Sequence, residues 1–119
     1  MYFKLQIVLN QFLKIMIRNA FVMQLKKGCE AEYKKRHDTI WPELKSLLIQ
    51  SGINSYYVFL EEESGKLFAF QSLVNTNTTA YLSNDPIMKK WWKYMADLME
   101  TNLDSSPLTT PLAELFSLE

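Results

Sequence analysis

Two strand-like runs in the middle of the chain constrain its fold more than any other feature of the sequence. The runs read INSYYVFLEE and KLFAFQSLV, and the short segment that joins them contains Ser64 and Gly65. Apolar or alternating runs that flank a short glycine-containing segment are typical of an antiparallel β-hairpin. We therefore place the second and third strands of the fold here.

Helical patterns lie on both sides of this hairpin. Upstream, good helix formers begin at CEAEYKKRH and apolar positions continue at helical spacing to Leu48. Pro42 interrupts this pattern, and because proline removes an amide donor, we expect a kink or a restart near Asp38 and Thr39. Downstream, the polar residues 75–86 predict a loop with one irregular helical segment, and PIMKKWWKYMADLME predicts a helix. The expected apolar stripe of that helix is Ile87, Trp91, Tyr94, Met95 and Leu98.

Strand patterns at the two ends complete the order βαββαβ. IRNAFVMQL at residues 17–25 predicts the first strand, and the apolar residues of LAELFSLE at the C-terminus predict the last. This order is that of the ferredoxin-like α+β fold, in which helices cover one face of an antiparallel sheet. A chain of 119 residues has no element left for the other face, so we expect a homodimer that packs sheet to sheet.

Charge, cysteine content and the N-terminal segment narrow the class of protein. Thirteen basic and thirteen acidic residues cancel, which argues against nucleic acid or a membrane as partner, and we interpret the basic run of residues 34–36 as a solvated helix face. Cys29 is the single cysteine, which indicates a reducing, cytoplasmic compartment. Residues 1–15 lack the features of a signal peptide or a membrane span. We interpret them as an N-terminal extension, genuine or a gene-start artefact, before one domain at 16–119.

His37 is the first candidate for chemistry, because it is the only histidine of the chain. Histidine is the side chain whose ordinary pKa lies near neutral pH, although a lone histidine is more often structural. Tyr33 lies four residues earlier, so on a continuous helix both side chains project from one face. The pair could therefore converge on one small molecule.

Two adjacent aromatic pairs are further candidates. Trp91 and Trp92 point about 100° apart on a helix, so one of them is expected to line something other than the core. Tyr56 and Tyr57 lie on a strand, where alternation sends one side chain to each face. A cleft with tryptophan, tyrosine and histidine suits a sugar, whereas a core tryptophan beside a dimer contact explains the Trp pair equally well.

The motifs that the sequence lacks limit the reaction. It contains no glycine-rich phosphate loop, no G-x-S-x-G and no histidine pair for a metal. We therefore expect no cofactor and no metal, and either acid/base work on a small molecule or binding without chemistry.

Five segments in order resemble the L-rhamnose mutarotase family. They are MIRNAFVMQL, EYKKRHDTIWPEL, NSYYVFL, KKWWKYMADLM and a closing segment made of residues 104–107 and ELFSLE, and the resemblance runs from Met16 to the C-terminus. Each motif is weak alone, whereas five at matching separations make a specific signal. The N-terminal leader, residues 1–15, and the Asn/Thr-rich residues 75–79 lie outside the resemblance.

The resemblance implies a fold, a reaction and roles for particular residues. It implies the dimeric ferredoxin-like α/β-barrel and, in rhamnose catabolism, exchange of the α and β anomers of L-rhamnose by an isomerase. His37 of Y-K-K-R-H would be the catalytic proton carrier. The sugar contacts would be Tyr33, Tyr56, Trp91 and Trp92.

Two other functions remain open on the same fold, because a fold does not fix a function. One is a cofactor-free monooxygenase, which would consume oxygen. The other is a sugar- or metabolite-binding module in which His37 only forms hydrogen bonds.

Overall fold

The computed structural model describes residues 16–119, so the expected extension 1–15 lies outside the described residues. Its elements follow the predicted order, with the first helical pattern divided in two. They are β1 (Ile17–Gln24), α1 (Glu30–Asp38), α2 (Pro42–Gln50), β2 (Ile53–Leu60), β3 (Lys66–Leu73), a 3₁₀ helix (Thr79–Asn84), α3 (Pro86–Met95) and β4 (Thr110–Pro111).

The four strands form one antiparallel sheet in the order β2-β3-β1-β4. The hairpin β2–β3 thus places β3 beside β1, with Ala20 opposite Phe70. This is the ferredoxin-like arrangement, and the predicted α+β class is confirmed. The helices cover the inner face of the sheet, where Leu44 and Met95 pack on Leu67 and Ala69.

The break predicted near Asp38 and Thr39 is confirmed, because α1 ends at Asp38. Pro42 is the first residue of α2, and Trp41 before it has extended backbone angles, φ −58° and ψ 131°. Proline disfavours a helical conformation in the residue that precedes it, so α1 cannot run into α2.

Helix α3 begins as predicted but ends earlier than its pattern suggested. The Asp85 carboxylate accepts a hydrogen bond from the Ile87 amide at 2.9 Å, which caps a helix whose first residue is Pro86. The helix ends at Met95, and the residues after it run beside the end of β1, where the Glu100 amide donates to the Gln24 carbonyl at 2.9 Å.

The prediction for the last strand is wrong. Only Thr110–Pro111 pairs with β1, and the apolar tail at residues 112–119 forms no strand within the described chain. Pro111 has no amide hydrogen to donate to a ladder, and the apolar residues of the tail do not alternate. The tail is instead tied to the Arg18 guanidinium by Glu114, at 2.5 Å, and by Glu119.

Two side chains near α3 also differ from expectation. Tyr94 was expected in the buried stripe, but it is exposed and lies against Trp41, 5.5 Å between ring centroids. Arg36 was expected on a solvated face, but only 13% of its side chain is exposed. Its guanidinium lies 4.4 Å from the Tyr94 ring centroid and donates to Asp97 at 2.9 Å, so it fastens α1 to the end of α3.

Within residues 16–119, no helix combines the length and apolar character required to cross a membrane.

Candidate active site

A cavity of about 1260 Å³ lies between the inner face of the sheet and the helices. Its walls come from the three long strands, from α1 and α3, and from the loop before β4. The structure brings all five predicted site residues to this one cavity: Tyr33, His37, Tyr56, Trp91 and Trp92.

Helix α1 presents Tyr33 and His37 side by side. Their rings are 4.3 Å apart between centroids and tilted by 30°. His37 Nδ1 lies 3.0 Å from the Tyr33 backbone carbonyl oxygen, an atom that only accepts hydrogen bonds, so Nδ1 carries a hydrogen and donates it. Nε2 is therefore the basic nitrogen of the neutral ring and the one available to a ligand.

The surroundings of His37 favour its neutral form. Burial lowers the pKa of His37 from its usual 6.5, and this effect outweighs the hydrogen bond to Tyr33 and the charge of Asp38, which both raise the pKa. Trp91 contributes to this burial, since its ring meets the imidazole edge to face at a centroid distance of 5.4 Å. At neutral pH the side chain thus offers an unprotonated Nε2 in a partly apolar site.

The two neighbouring tryptophans differ in burial. Trp91 is only 6% exposed and belongs to the core, where it also packs edge to face on Trp41. Trp92 is partly buried and lines both the cavity and a shallow surface pocket beside it. Trp91 therefore supports His37, whereas Trp92 has ring surface that a ligand can contact.

The two cavity tyrosines come from different layers of the fold. Tyr33 lies on α1 and Tyr56 on β2, yet they are close enough for the Tyr56 hydroxyl to add to the raised pKa of Tyr33. Burial is the main cause of that shift and also raises the pKa of Tyr56 to about 12, although 40% of Tyr56 remains exposed. Both phenols are therefore neutral at physiological pH and act as hydrogen-bonding groups rather than as bases. Tyr57 points to the opposite face of the sheet, as strand alternation predicts.

Sequence reasoning missed two polar groups of the inner face. Asn19 on β1 and Gln71 on β3 line the cavity, and the Asn19 side-chain amide donates to Gln71 Oε1 at 3.0 Å. Along each strand they fall on the same face as core residues, Asn19 with Met23 and Gln71 with Leu67. A polar residue in a core-facing register was the signal that could have identified them.

The loop before β4 was also missed. Asn102 fixes its shape, because the side-chain amide donates to Ser106 Oγ at 2.9 Å and the backbone amide donates to the Ser106 carbonyl at 2.8 Å. Ser105 has a φ of 71°, in the left-handed region that non-glycine residues seldom adopt. Its neighbours in the cavity wall are Ser106, Pro107 and Thr109. The sequence marked residues 104–107 as part of the family resemblance but assigned this segment no place in the site.

The titratable groups of the cavity include His37, two tyrosines and the carboxylates of Glu30 and Asp38. In the part of the chain that the structure describes, no three His, Cys, Asp or Glu side chains are grouped so that they could hold a metal ion. The groups present can exchange protons and form hydrogen bonds with a neutral, hydroxyl-rich ligand, and Trp92 can contact its apolar face.

Comparisons with known proteins converge on one family. A family model described as L-rhamnose mutarotase matches residues 18–118. An L-rhamnose mutarotase from Flavobacterium johnsoniae is 54% identical over 103 residues, which cover 87% of this chain and 96% of that protein. One from Bacteroides thetaiotaomicron is 49% identical over 104 residues, which cover 87% of this chain and all of that protein.

A solved structure gives the same result. The crystal structure of an L-rhamnose mutarotase from Formosa agariphila superposes with a TM-score of 0.80 at 48% identity, over 87% of this chain and 99% of that one.

Proposed function

This chain belongs to the L-rhamnose mutarotase family, and from that premise we propose that it is an isomerase that interconverts the α and β anomers of L-rhamnose. The observation that carries the proposal is the state of His37. A neutral imidazole with its Nδ1 hydrogen bonded to Tyr33 presents a basic Nε2 in a cavity that also holds two neutral tyrosines.

The proposed reaction moves protons and transfers no electrons overall. His37 Nε2 takes the hydrogen of the anomeric hydroxyl, O1–H, as the C1–O1 bond becomes a carbonyl and the bond from C1 to the ring oxygen breaks. The ring oxygen takes the proton back from the imidazolium, which gives the open-chain aldehyde and a neutral His37. After the C1–C2 bond rotates, the same steps in reverse close the ring on the other face. One histidine suffices because both oxygens are bonded to C1.

Burial of His37 supports these roles. A base works best when its pKa lies near the operating pH, since it must accept a proton and then release it. The lowered pKa of His37 keeps it in the accepting form before the reaction and makes the imidazolium a good donor afterwards.

Three of the other predicted residues would bind the sugar. Tyr33 and Tyr56 remain protonated and can hold sugar oxygens, while Trp92 offers ring surface to apolar C–H groups and to the C6 methyl of a 6-deoxy sugar. Trp91, almost fully buried, would act mainly by supporting the imidazole.

The reaction supplies its own test. Magnetisation transfer between the two anomeric protons of L-rhamnose should show exchange far above the buffer rate, and a panel of 6-deoxy and epimeric sugars would define selectivity. Exchange no faster than buffer for every sugar would contradict the proposal. An oxygen electrode separates the monooxygenase alternative, because mutarotation consumes no oxygen.

We also propose that the protein is a cytoplasmic homodimer. Cys29 is a free thiol, which suits a reducing compartment. The outer face of the sheet exposes large apolar side chains, with Tyr57 at 59% and Phe59 at 61%, and Phe70 lies beside them. The tail adds Phe116 at 79%. Apolar surface of this kind is typical of an interface, and a second sheet would cover it.

Sedimentation velocity at micromolar concentration should give about twice the 14.0 kDa chain mass. A species of 14.0 kDa at that concentration would contradict the dimer and leave the outer face without a partner.

A further inference from the structure

A row of three polar side chains crosses the inner face of the sheet. In the strand register Asn19 lies opposite Gln71, and Gln71 lies opposite Tyr56 on its other side. All three side chains line the cavity. The row therefore links the edge strand β2, which carries one of the predicted sugar contacts, to the centre of the sheet.

The hydrogen bond between Asn19 and Gln71 has a direction. The Asn19 amide donates to Gln71 Oε1 at 3.0 Å, so the Gln71 carbonyl oxygen is directed toward Asn19. A glutamine amide has one accepting oxygen and one donating NH₂ group, so with the oxygen turned to Asn19 the NH₂ group is the part of the side chain left to donate to Tyr56, its cross-strand neighbour. A donor facing a phenol favours its ionised form, and Gln71 does lower the pKa of Tyr56 against the larger effect of burial.

This direction decides what Tyr56 offers a ligand. When the phenol oxygen accepts a hydrogen bond from Gln71, its own hydrogen is left for the ligand. The hydroxyl then points a donor into the cavity, toward a sugar oxygen that has a free lone pair. Without Gln71 the same hydroxyl could rotate and act as donor or acceptor.

We propose that Gln71, held by Asn19, is a positioning residue that sets the Tyr56 hydroxyl as a hydrogen-bond donor to the bound sugar. This inference rests on the proposed function, because it names how that site fixes its substrate. Gln71 does not need to touch the sugar, and its effect passes through Tyr56.

The variants Gln71→Met and Gln71→Glu test the direction of the row. Methionine keeps the length of the side chain and removes its hydrogen bonds. Glutamate keeps the acceptor for Asn19 but also accepts from the Tyr56 hydroxyl, which takes away the hydrogen meant for the sugar. Because one hydrogen bond contributes about 0.5 to 1.5 kcal/mol net, each variant should raise KM roughly twofold to tenfold, with kcat changed less than twofold. Gln50→Met, the same change at an exposed position on α2, should leave both constants unchanged.

A double-mutant cycle identifies the route of the effect. With Tyr56→Phe in place, Gln71→Met should raise KM no further, because the hydroxyl that it positions is gone. If Gln71→Met folds poorly by circular dichroism, Asn19→Ala serves as a second test. It changes an exposed residue, leaves the core intact and should raise KM by part of the same amount.

Three results would overturn the proposal while wild type is active: an unchanged KM in Gln71→Met, a wild-type KM in Gln71→Glu, or effects of Tyr56→Phe and Gln71→Met that multiply. Failure of the proposed function looks different, since the wild type itself would then neither exchange the anomers nor bind L-rhamnose by saturation-transfer NMR. That result would overturn both proposals.

Discussion

The two faces of the sheet are built by alternate residues of the same strands, yet they have opposite character. The inner face mixes the core with polar groups around a cavity, where Gln71 and Tyr56 lie beside buried Leu67 and Ala69. The outer face carries Tyr57, and its largest side chains are accessible and apolar.

In a monomeric protein the uncovered face of an antiparallel sheet usually carries polar side chains, and the covered face carries apolar ones. Polar side chains in a cavity destabilise the folded protein unless they are hydrogen-bonded. Apolar side chains in water stabilise the protein only when another surface covers them. Each face is therefore incomplete in the isolated chain. The proposed sugar would complete the inner face, and the proposed second copy would cover the outer one.

The largest expected effect lies on the inner face. His37→Ala should slow exchange of the L-rhamnose anomers by about 10² to 10⁴, the usual contribution of a general acid/base, while circular dichroism stays unchanged. Lys35→Ala, at an exposed position of the same helix, is the matched control and should retain wild-type activity. A folded His37→Ala variant with the wild-type rate would remove His37 from the mechanism.

A pH profile tests the same residue without mutation. Because the proposed base is the neutral imidazole and burial lowers its pKa below 6.5, kcat/KM should be level near pH 7 and fall about tenfold per pH unit below the pKa of His37. Stability should change in the same direction: unfolded His37 binds a proton at higher pH than folded His37, so the free energy of unfolding declines as pH drops through 6.5. Unfolding should therefore be followed in parallel. A kcat/KM that rises on acidification would show that the imidazolium is the reactive form.

The adjacent tyrosines give the most direct comparison of the faces. Tyr56→Phe removes a cavity hydroxyl and should raise KM for L-rhamnose about fivefold, the value of one neutral hydrogen bond, whereas Tyr57→Phe should leave KM unchanged. Both substitutions delete one oxygen atom from neighbouring residues, so each serves as the control for the other. Equal effects would mean that the cavity is not where the sugar binds.

Features with a short-range cause could be predicted from the sequence. Period two along β2 separates Tyr56 from Tyr57, a spacing of four residues on α1 brings Tyr33 beside His37, and Pro42 breaks the helix. The family resemblance added the assignment of roles, which spacing alone left open.

Features that depend on residues distant in the sequence could not be predicted. Asn19 and Gln71 lie 52 residues apart and meet only through the β1–β3 register. Arg36 looks like part of a charged surface until α3 places Asp97 and Tyr94 against it. The prediction of a last strand in the C-terminal tail failed because it rested on apolar content alone. Apolar content without alternation also fits a segment that a second chain covers.

The smallest effect is expected from removing residues 1–15. The family match begins at residue 18, and the cavity residues and the apolar residues of the outer face lie within it, so neither face depends on the leader for its own side chains. We therefore propose that 16–119 is the functional domain and predict that its truncated form retains the exchange rate, the sedimentation coefficient and the melting temperature of the full chain. The three readouts separate the possible failures. A slower exchange alone would place the leader at the cavity, a changed sedimentation coefficient alone would place it at the outer face, and a large loss of melting temperature would make it part of the core.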